Sequence, residues 1–378
     1  MSKPLIVLKF GGSSLATPQL IRSVAQRISE LHSQGHPLIV VVSAMGKSTD
    51  ELLRLAREVS EKPNRRELDM LLTTGERVSM ALMSMALHDL NCPSISFTGS
   101  QAGVLTDASF TNAKIIELKP IRVAEALATQ KVVVLAGFQG VDPISREITT
   151  LGRGGSDTTA VAMAAHFKAA RCEILKDVDG VYSADPKIVE SAVLFKKLPI
   201  DVLYEFCFWG AKVLNYRSVE WAREHRAHLH IGRSENFKLG TEIVLQSERP
   251  SARKLLGVNS HAYVAEISGL ANDLQHGEKL LRELQDKLDL APLQILRQNF
   301  SNGTYRSLIT AGTSDHYALD SIIAELKSSS SLRLERGPIA TVTKTYSDAK
   351  SETEIVERIN LVETVRAYHK GVSHEEQR

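Results

Sequence analysis

The sequence has 378 residues, 43% of them hydrophobic and 24% charged, with a formal net charge of +2. This length and composition fit two or three globular domains and exclude a disordered or coiled-coil protein. Acidic and basic residues are mixed along the chain without a concentrated basic patch, which argues against a nucleic-acid partner.

The sequence carries no sign of export or membrane insertion. No apolar run is long enough to cross a bilayer, and the N-terminus lacks the charged-then-apolar pattern of a signal peptide. The three cysteines, Cys92, Cys172 and Cys207, are widely spaced and match no zinc or redox motif. Unpaired cysteines in a chain without an export signal predict a cytoplasmic protein with no membrane partner.

Residues 1–245 alternate short apolar runs with longer amphipathic stretches. The apolar runs predict strands over residues 5–10, 37–43, 94–97, 131–136, 172–176 and 228–231. Helical periodicity predicts helices over residues 18–30, 50–59, 67–88, 121–128, 157–169 and 215–224. This alternation predicts an α/β fold, a mostly parallel sheet covered by helices, with ligands at the carboxyl ends of the strands.

The pattern changes after a polar, proline-containing linker over residues 246–254. The following order is strand 256–267, helix 277–288, strands 293–298 and 304–311, helix 315–327 and strand 340–345. This βαββαβ order predicts a small α+β ferredoxin-like domain. A charged extension follows, with one predicted helix over 352–368 and a frayed end over 374–378. The predicted domains are therefore 1–247, 255–346 and 347–378.

A glycine-rich turn follows the first predicted strand and reads Lys9-Phe10-Gly11-Gly12-Ser13-Ser14. Glycines let backbone N–H groups approach an anion closely, and Lys9 adds a positive charge. The turn matches neither the Walker loop nor the dinucleotide-binding G-x-G-x-x-G motif. By itself, a Gly-Gly pair after a strand most often forms only a turn, so its meaning depends on the other motifs.

A second glycine-rich segment precedes a predicted helix and reads Gly152-Arg153-Gly154-Gly155-Ser156-Asp157. An arginine among glycines at a helix N-terminus suits bidentate capture of a carboxylate or phosphate. Ser156 and Asp157 are favourable N-capping residues, so we expect the helix to begin near them. The alternative is a flexible surface loop that Ser156 caps.

Four further segments combine turn signals with polar residues, at 43–50, 73–77, 177–187 and 210–214. The first follows a strand, with Ser48 or Thr49 as the N-cap of the next helix, and segment 73–77 interrupts a helical pattern. Taken singly, each segment has an ordinary explanation: Glu76 is an acid at a helix start, and Lys212 a solvated charge.

Together these segments resemble the aspartate kinases of the amino acid kinase family. The matching stretches occur in the family's order, at 9–14, 42–52, 70–79, 96–106, 137–141, 149–161, 177–187 and 210–220. The resemblance implies an amino acid kinase fold followed by a shortened ACT-like domain. It further implies that ATP, with Mg²⁺, phosphorylates the β-carboxylate of L-aspartate to 4-phospho-L-aspartate for amino-acid biosynthesis.

The resemblance also implies the roles of individual residues. Lys9 would bridge the transferring phosphate, Asp157 would fix Lys9, and Lys212 would neutralise the β-phosphate. Glu76 would receive the substrate ammonium and Arg153 its α-carboxylate. The implied substrate site is Ser43, Thr49, Glu76, Arg153, Gly154, Gly155 and Ser156. The implied ATP site is Lys9, Phe10, Gly11, Gly12, Ser13, Lys176, Asp177, Tyr182, Ser183, Ala184, Asp185, Pro186, Lys187, Lys212 and Val213.

The chemistry that the resemblance implies needs few special groups. The β-carboxylate of aspartate is already ionised at neutral pH, so its attack on the γ-phosphate needs no general base. Catalysis is then positioning and charge neutralisation. Because ATP phosphates and water hold most of the coordination sphere of Mg²⁺, we expect no protein metal ligands.

The sequence departs from the family pattern at three places. Lys176 stands where Thr or Ser is usual, and it either contacts a nucleotide phosphate or points to solvent. Phe208 and Trp209 replace smaller residues, and they either repack the site or face a partner. The C-terminal region is shorter than the usual pair of ACT modules, so we expect weak or absent inhibition by lysine and threonine, and a homodimer formed through this region.

Two alternative functions stay open from the sequence. One is a kinase that acts on another free amino acid. The other is a catalytically silent regulatory subunit, which the loss of a functional residue would indicate. All five residues that would mark such a loss are present, namely Lys9, Glu76, Arg153, Asp157 and Lys212.

Overall fold

A computed structural model describes residues 3–152, 154–245, 253–287, 293–310, 316–326 and 332–372. The chain divides into two compact units. The first unit comprises Met1–Val181, Leu194–Ile200 and Leu214–Ser247, and the second comprises Tyr182–Val193, Asp201–Val213 and Glu248–Arg378. The domain bounds drawn from the sequence stay a prediction.

Strands and helices are interspersed along the first unit. In chain order the strands are β1 (Ile6–Phe10), β2 (Leu38–Val42), β3 (Ser94–Phe97), β4 (Val104–Thr106), β5 (Ile115–Leu118), β6 (Val132–Ala136), β7 (Gln139–Val141), β8 (Ile148–Thr150), β9 (Arg171–Lys176), β10 (Lys197–Pro199), β11 (Leu229–Arg233), β12 (Lys238–Val244), β13 (Leu255–Leu270), β14 (Gln294–Ser301), β15 (Thr304–Thr310), β16 (Arg333–Tyr346) and β17 (Ser351–Val356). The α-helices are α1 (Pro18–Ser33), α2 (Ser48–Val59), α3 (Arg65–Asp89), α4 (Ile121–Ala128), α5 (Gly155–His166), α6 (Ile200–Phe208), α7 (Tyr216–Glu224), α8 (Leu274–Lys287), α9 (His316–Leu326) and α10 (Leu361–His369). In these parts of the chain, no helix is both long and apolar enough to cross a membrane.

An eight-stranded sheet in the order β10-β12-β11-β9-β1-β2-β6-β3 forms the centre of the first unit. Its strands pair in parallel except for β11 with β12. Strands β1, β2 and β6 are buried along their whole length and consist of apolar residues apart from Lys9. This architecture confirms the predicted α/β fold. The carboxyl ends of β1, β2 and β9 lie at one edge, just where the candidate residues begin.

The helix α3 is continuous over 25 residues, although residues 73–77 were predicted to interrupt it. Asn64 begins the helix, and its side chain accepts hydrogen bonds from the backbone of Arg66 and Glu67. Gly75 lies where α3 passes the loop after β2, and a Cβ atom there would be 2.8 Å from the Cβ of Ala44. Gly75 therefore allows the helix to pack closely against this loop, and it does not break the helix.

The helix α5 begins earlier than predicted. Its N-cap is Gly154, in the left-handed conformation at φ +76°, and Ser156 and Asp157 lie inside the first turn. Glycine adopts the left-handed conformation at little cost, so the helix can be capped at Gly154, two residues before Ser156.

A second, four-stranded sheet in the order β5-β4-β7-β8 was not predicted. Its strands have only three or four residues, too few to show a period of two. The sheet joins the segment before α5 to the segment after β3, and it therefore matters for the candidate site.

The second unit contains a five-stranded antiparallel sheet in the order β14-β15-β13-β16-β17. Helices α8 and α9 cover one face, where Leu281, Leu319 and Ile322 pack against Tyr305. Strands β13 to β16 with these helices have the predicted βαββαβ order, which confirms the ferredoxin-like, ACT-like character of this region.

The predicted helix over 352–368 is wrong in its first half. Residues 351–356 form β17, which pairs antiparallel with β16, and α10 begins only at Leu361. The run from Ser351 to Glu354 alternates half-buried and exposed side chains, which is the period of a strand. The linker residues 246–252 and the predicted frayed end lie outside the described residues.

Candidate active site

Lys9 lies near the end of the central strand β1 and is 5% exposed. Its Nζ is 2.7 Å from Oδ1 of Asp157, in the first turn of α5. The neighbouring strand β9 ends at Lys176, whose Nζ is 3.2 Å from Oδ2 of the same carboxylate. Two lysines therefore share one buried aspartate, and the three side chains together carry one net positive charge at the carboxyl edge of the sheet.

The pKa values of this cluster follow from burial and from the opposite charges. Burial lowers the pKa of Lys9 and Lys176 lowers it further, against the attraction of Asp157. Burial alone would raise the pKa of Asp157, but the attraction of Lys176 and Lys9 holds it below its usual value. Removal of Asp157 would leave a buried, uncompensated ammonium, which is strongly destabilising.

The glycine-rich turn after β1 packs directly against the loop after β2. A Cβ atom on Gly12 would be 2.7 Å from the carbonyl oxygen of Ala44, and the N–H of Gly46 donates to the carbonyl oxygen of Gly12 at 2.9 Å. The side chain of Phe10 lies in the core, whereas Ser13 is exposed. Any contact of Phe10 and the glycines with a phosphate would use backbone atoms.

Glu76 lies in α3 and is 3% exposed. Its Oε1 accepts a hydrogen bond from the backbone N–H of Ala44 at 3.1 Å, while its buried Oε2 has no hydrogen-bond partner. Burial raises the pKa of Glu76 to about 7, against the hydrogen bond from Ala44 and the attraction of Lys9. A buried carboxylate oxygen without a partner is energetically costly, and a cationic donor would satisfy it.

The second glycine-rich segment surrounds Arg153, which itself lies outside the described residues. Gly152 and Gly154 have φ values of +73° and +76°. A Cβ atom on Gly154 would be 2.6 Å from the Cβ of Asn215, which caps α7. Gly152 and Gly154 are thus packed closely against their neighbours, in contrast to the residues of a flexible surface loop.

The loop after β2 contributes Ser43 and Thr49, which are both half-buried. Ser43 follows β2 directly, and its N–H donates to the carbonyl oxygen of Phe10 at 3.2 Å. The predicted cap of α2 is wrong: Lys47 occupies the N-cap position without a side-chain bond, and the hydroxyl of Ser48 donates to the carbonyl oxygen of Met45. Thr49 lies in the first turn of α2, where its hydroxyl can contact a substrate.

The other residues of the predicted ATP site fall in two places. Asp177 is exposed and follows β9 in the first unit. In the second unit Ser183, Ala184 and Val213 are buried, Tyr182 and Asp185 are half-buried, and Pro186, Lys187 and Lys212 are exposed.

Phe208 and Trp209 lie in the second unit and make an edge-to-face contact with ring centroids 5.2 Å apart. Both rings are partly buried against a cluster of Val264, Leu296, Leu308 and Ile339. Their bulk therefore fills the interior of the second unit.

Sequence reasoning missed two buried polar residues near the predicted site segments. Asp69 in α3 accepts hydrogen bonds from Thr111 and Thr150, and His369 in α10 contacts the hydroxyl of Ser183 at 2.8 Å. Helical periodicity would have placed Asp69 on the buried face, because it lies on one stripe with Leu72, Thr73 and Glu76. Nothing in the local sequence marks His369.

Comparisons with known proteins show the family of the chain. Residues 4–233 match the model of the amino acid kinase family. An aspartokinase of Mycobacterium tuberculosis is 47% identical over 287 residues, which cover 75% of this chain and 68% of that protein. An aspartokinase of Corynebacterium glutamicum is 47% identical over 286 residues, with the same coverage of 75% and 68%.

Solved structures show the same relationship. The aspartate kinase from Synechocystis is 32% identical with a TM-score of 0.58, covering 98% of this chain and 69% of that one. E. coli aspartokinase III in complex with aspartate and ADP has a TM-score of 0.77 at 20% identity, covering 97% and 99%, and it shares the fold. The chain therefore belongs to the amino acid kinase family, as one of its aspartokinases.

Proposed function

We propose that this protein transfers the γ-phosphoryl group of ATP to the β-carboxylate of L-aspartate, giving 4-phospho-L-aspartate and ADP. The observation that carries the proposal is the buried carboxylate of Glu76, with one oxygen lacking a partner. The relatives named aspartokinase support the same substrate, as does the aspartate and ADP complex of the E. coli enzyme.

Aspartate would be held at both groups of its α-carbon. The α-ammonium would donate to Oε2 of Glu76, which restores a hydrogen bond to that oxygen and places a counter-charge beside it. Arg153 with Gly154, Gly155 and Ser156 would receive the α-carboxylate at the N-terminus of α5. Ser43 and Thr49 would line the remaining side of the substrate. The β-carboxylate attacks without a general base, because it is ionised at neutral pH.

The transferred phosphoryl group would be neutralised by the lysines that share Asp157. Lys9 would contact the oxygens that gain charge in the transition state, and Lys176 would add a second cation. Asp157 would orient both ammonium groups without becoming protonated. By resemblance, Lys212 and Val213 would contact the β-phosphate. Asp177 and the segment Tyr182, Ser183, Ala184, Asp185, Pro186 and Lys187 would surround adenine and ribose.

Mg²⁺ bound together with ATP would supply charge neutralisation at the phosphates, which the lysines at this edge of the sheet would complete. The residues present fit this arrangement, because the carboxylate of Asp157 already contacts two lysines and ATP phosphates with water would hold most of the ion. Within the described ranges, no three His, Cys, Asp or Glu side chains are grouped as a metal site.

A coupled ADP-release assay over aspartate, glutamate and related acids tests the proposed substrate. We expect aspartate to give the highest kcat/KM, and Glu76→Gln to raise the KM for aspartate about tenfold or more with little change in the KM for ATP. Glu67→Gln, at an exposed position of the same helix, is the matched control. Absence of turnover with aspartate would contradict the proposal, and faster turnover with another acid would indicate a different amino acid substrate.

We further propose that lysine and threonine inhibit the enzyme weakly or not at all. The support is the single five-stranded sheet formed by the described residues after 252, with one βαββαβ set.

The edge strands β14 and β17 of this sheet offer unpaired backbone groups, so we propose that the protein forms a homodimer through this region. We also propose that the protein acts in the cytoplasm. Sedimentation velocity measures the dimer, and a monomer at micromolar concentration would exclude it.

A further inference from the structure

Asp69 is a buried carboxylate that the proposed mechanism leaves without a role. It lies in α3 and is completely buried. Glu76 follows it by seven residues, which is almost two helical turns, so the two carboxylates lie on one face about 10 Å apart along the axis. Burying a carboxylate costs free energy unless hydrogen bonds compensate for the loss of water.

Four hydrogen bonds offset part of the cost of burying Asp69, although burial still raises its pKa to about 6. Both of its oxygens accept from the backbone N–H of Thr111, at 3.1 and 3.0 Å. Oδ2 also accepts from the backbone N–H of Thr150 at 2.9 Å, and Oδ1 from the hydroxyl of Thr150 at 2.6 Å. These partners are 42 and 81 residues away along the chain, so the bonds connect separate elements rather than stabilise one turn.

Both partners of Asp69 form the support of the second glycine-rich segment. Thr150 ends β8 and comes directly before that segment, and its carbonyl oxygen accepts from the N–H of Ala113 at 2.8 Å. Thr111 precedes Asn112, and a Cβ atom on Gly152 would be 3.0 Å from Oδ1 of Asn112. The carboxylate therefore fixes the backbone that leads into the segment, at Thr150, and the backbone that packs against it, at Thr111.

We infer that Asp69 is a positioning residue that fixes residues 150–152, where the chain enters the second glycine-rich segment, with respect to Glu76. The inference rests on the proposed function, in which Glu76 holds the α-ammonium and this segment the α-carboxylate. Both groups are attached to one carbon atom of aspartate, so the separation of their binding groups must be constant. Displacements of about 1 Å are enough to cost large factors in rate.

Other contacts join the same elements, but they are weaker. Arg66 contacts Glu147 next to β8 at 2.8 Å, and both side chains are more than a third exposed, where ion pairs contribute little. The amide of Gln139 donates to the carbonyl oxygen of Thr73 at 3.3 Å. Asp69 provides the buried, multiply bonded connection between α3 and β8.

Two variants and a matched control test the inference by steady-state kinetics. Asp69→Asn keeps the shape but places an amide donor against the N–H groups, so we expect the KM for aspartate to rise about tenfold or more. Thr150→Val removes only the hydroxyl bond and should raise it about threefold. In both variants the KM for ATP should stay within about twofold. Asp142→Asn is the control, because Asp142 is also buried but bonds only within its own turn, to Ser145.

Hydrogen–deuterium exchange separates a failure of this inference from a failure of the proposed function. In Asp69→Asn and Thr150→Val, peptides spanning residues 108–113 and 149–155 should exchange faster than in the wild type, whether or not aspartate is the substrate. Unchanged exchange in both variants would overturn the inference. Faster exchange with an unchanged KM for aspartate would also overturn it. Absence of wild-type turnover with aspartate would contradict the proposed function, while the exchange result would still decide the role of Asp69 in fixing the segment.

Discussion

Asp157 and Glu76 are two buried carboxylates whose pKa values shift in opposite directions. Burial opposes the charge of both side chains, but Asp157 contacts two lysines and its pKa falls. Glu76 accepts one backbone hydrogen bond and its pKa rises to about 7. Of two buried carboxylates, one can thus stay ionised through its lysine partners, whereas the other needs a bound cation to stay ionised. The different partners, rather than the depth of burial, explain the opposite pKa shifts.

The raised pKa of Glu76 predicts how aspartate capture depends on pH. Only the ionised side chain attracts an ammonium group, so kcat/KM for aspartate should fall about tenfold for each pH unit below about 7. At saturating aspartate, kcat should fall less, because the bound ammonium lowers the pKa of Glu76. Initial rates between pH 5.5 and 8.5 measure both parameters.

The Glu76→Gln variant is the control for this pH profile. Its kcat/KM for aspartate should be low and nearly independent of pH in the same range, since glutamine does not titrate. A wild-type kcat/KM that stays constant down to pH 6 would contradict titration of Glu76 near pH 7 in the free enzyme, and the KM of Glu76→Gln for aspartate would then decide whether Glu76 binds the ammonium group.

The contact of Lys176 with Asp157 predicts a role for this lysine in phosphoryl transfer. Lys176→Thr removes one of the two cations on Asp157, so we expect kcat to fall at least about tenfold while the KM for aspartate changes little. Lys131→Thr, before β6 at the opposite edge of the sheet, should have no effect. Steady-state rates compare the two variants, and an unchanged kcat in Lys176→Thr would assign Lys176 a purely structural contact.

At the scale of elements, a clear period or flanking turn residues decided what could be predicted. Helix α4 has the predicted bounds because its sequence has a helical period, and the four-residue strand β3 has them because turn residues lie at both of its ends. The strands of the four-stranded sheet are too short to show a period. Residues 352–368 carry many charges, which suit a helix surface and an exposed edge strand equally well.

Some residues of the candidate site could be recognised in the sequence, and others could not. Lys9, Glu76 and Asp157 were singled out because each lies in a segment that resembles the family, although each segment taken singly has an ordinary explanation. Asp69 was missed because its partners are more than 40 residues away along the chain, and only the fold brings them together. The pairing of Lys176 with Asp157 was missed for the same reason: it requires β9 to lie beside β1 and α5 to begin at Gly155.

The helix α10 contacts the segment predicted to surround the adenine. Leu361 and Val365 pack in one cluster with Ala184 and Val189, and His369 contacts the hydroxyl of Ser183 at 2.8 Å. The guanidinium Nε of Arg366 donates to the carbonyl oxygen of Ile188 at 2.8 Å. The last helix therefore supports this segment within the second unit.

These contacts predict that His369→Ala raises the KM for ATP about tenfold and leaves the KM for aspartate nearly unchanged, because Ser183 loses a buried hydrogen-bond partner. Glu363→Ala, at an exposed position of the same helix, is the control. Steady-state kinetics with each substrate varied in turn measure the effect. Equal increases in both KM values would indicate general destabilisation rather than support of the nucleotide segment.

At the scale of the whole molecule, the chain spans about two thirds of the length of the aspartokinases that it matches by sequence. Its described residues after 252 form one antiparallel sheet with helices α8, α9 and α10. Helices α8 and α9 pack against this sheet in one hydrophobic cluster, and helix α10 packs against it in another. We therefore expect this region to stabilise the enzyme more than it regulates it.

Rates in the presence of lysine and threonine test this expectation. With aspartate at its KM, each amino acid at millimolar concentration should reduce the rate by less than about twofold, alone or together, since an effector changes the rate only through a difference in binding free energy between two states. Strong inhibition by either amino acid would contradict the expectation and show that one sheet is sufficient for feedback control.

Trapping of the acyl phosphate product tests the central claim most directly. Hydroxylamine converts an acyl phosphate into a hydroxamate, so wild-type enzyme with ATP, Mg²⁺ and aspartate should form aspartyl hydroxamate in equal amount to ADP. Lys9→Ala should reduce both products by about a hundredfold or more while its circular dichroism spectrum stays that of the wild type. Release of ADP without hydroxamate, or full activity of Lys9→Ala, would contradict the claim that Lys9 serves phosphoryl transfer to the aspartate carboxylate.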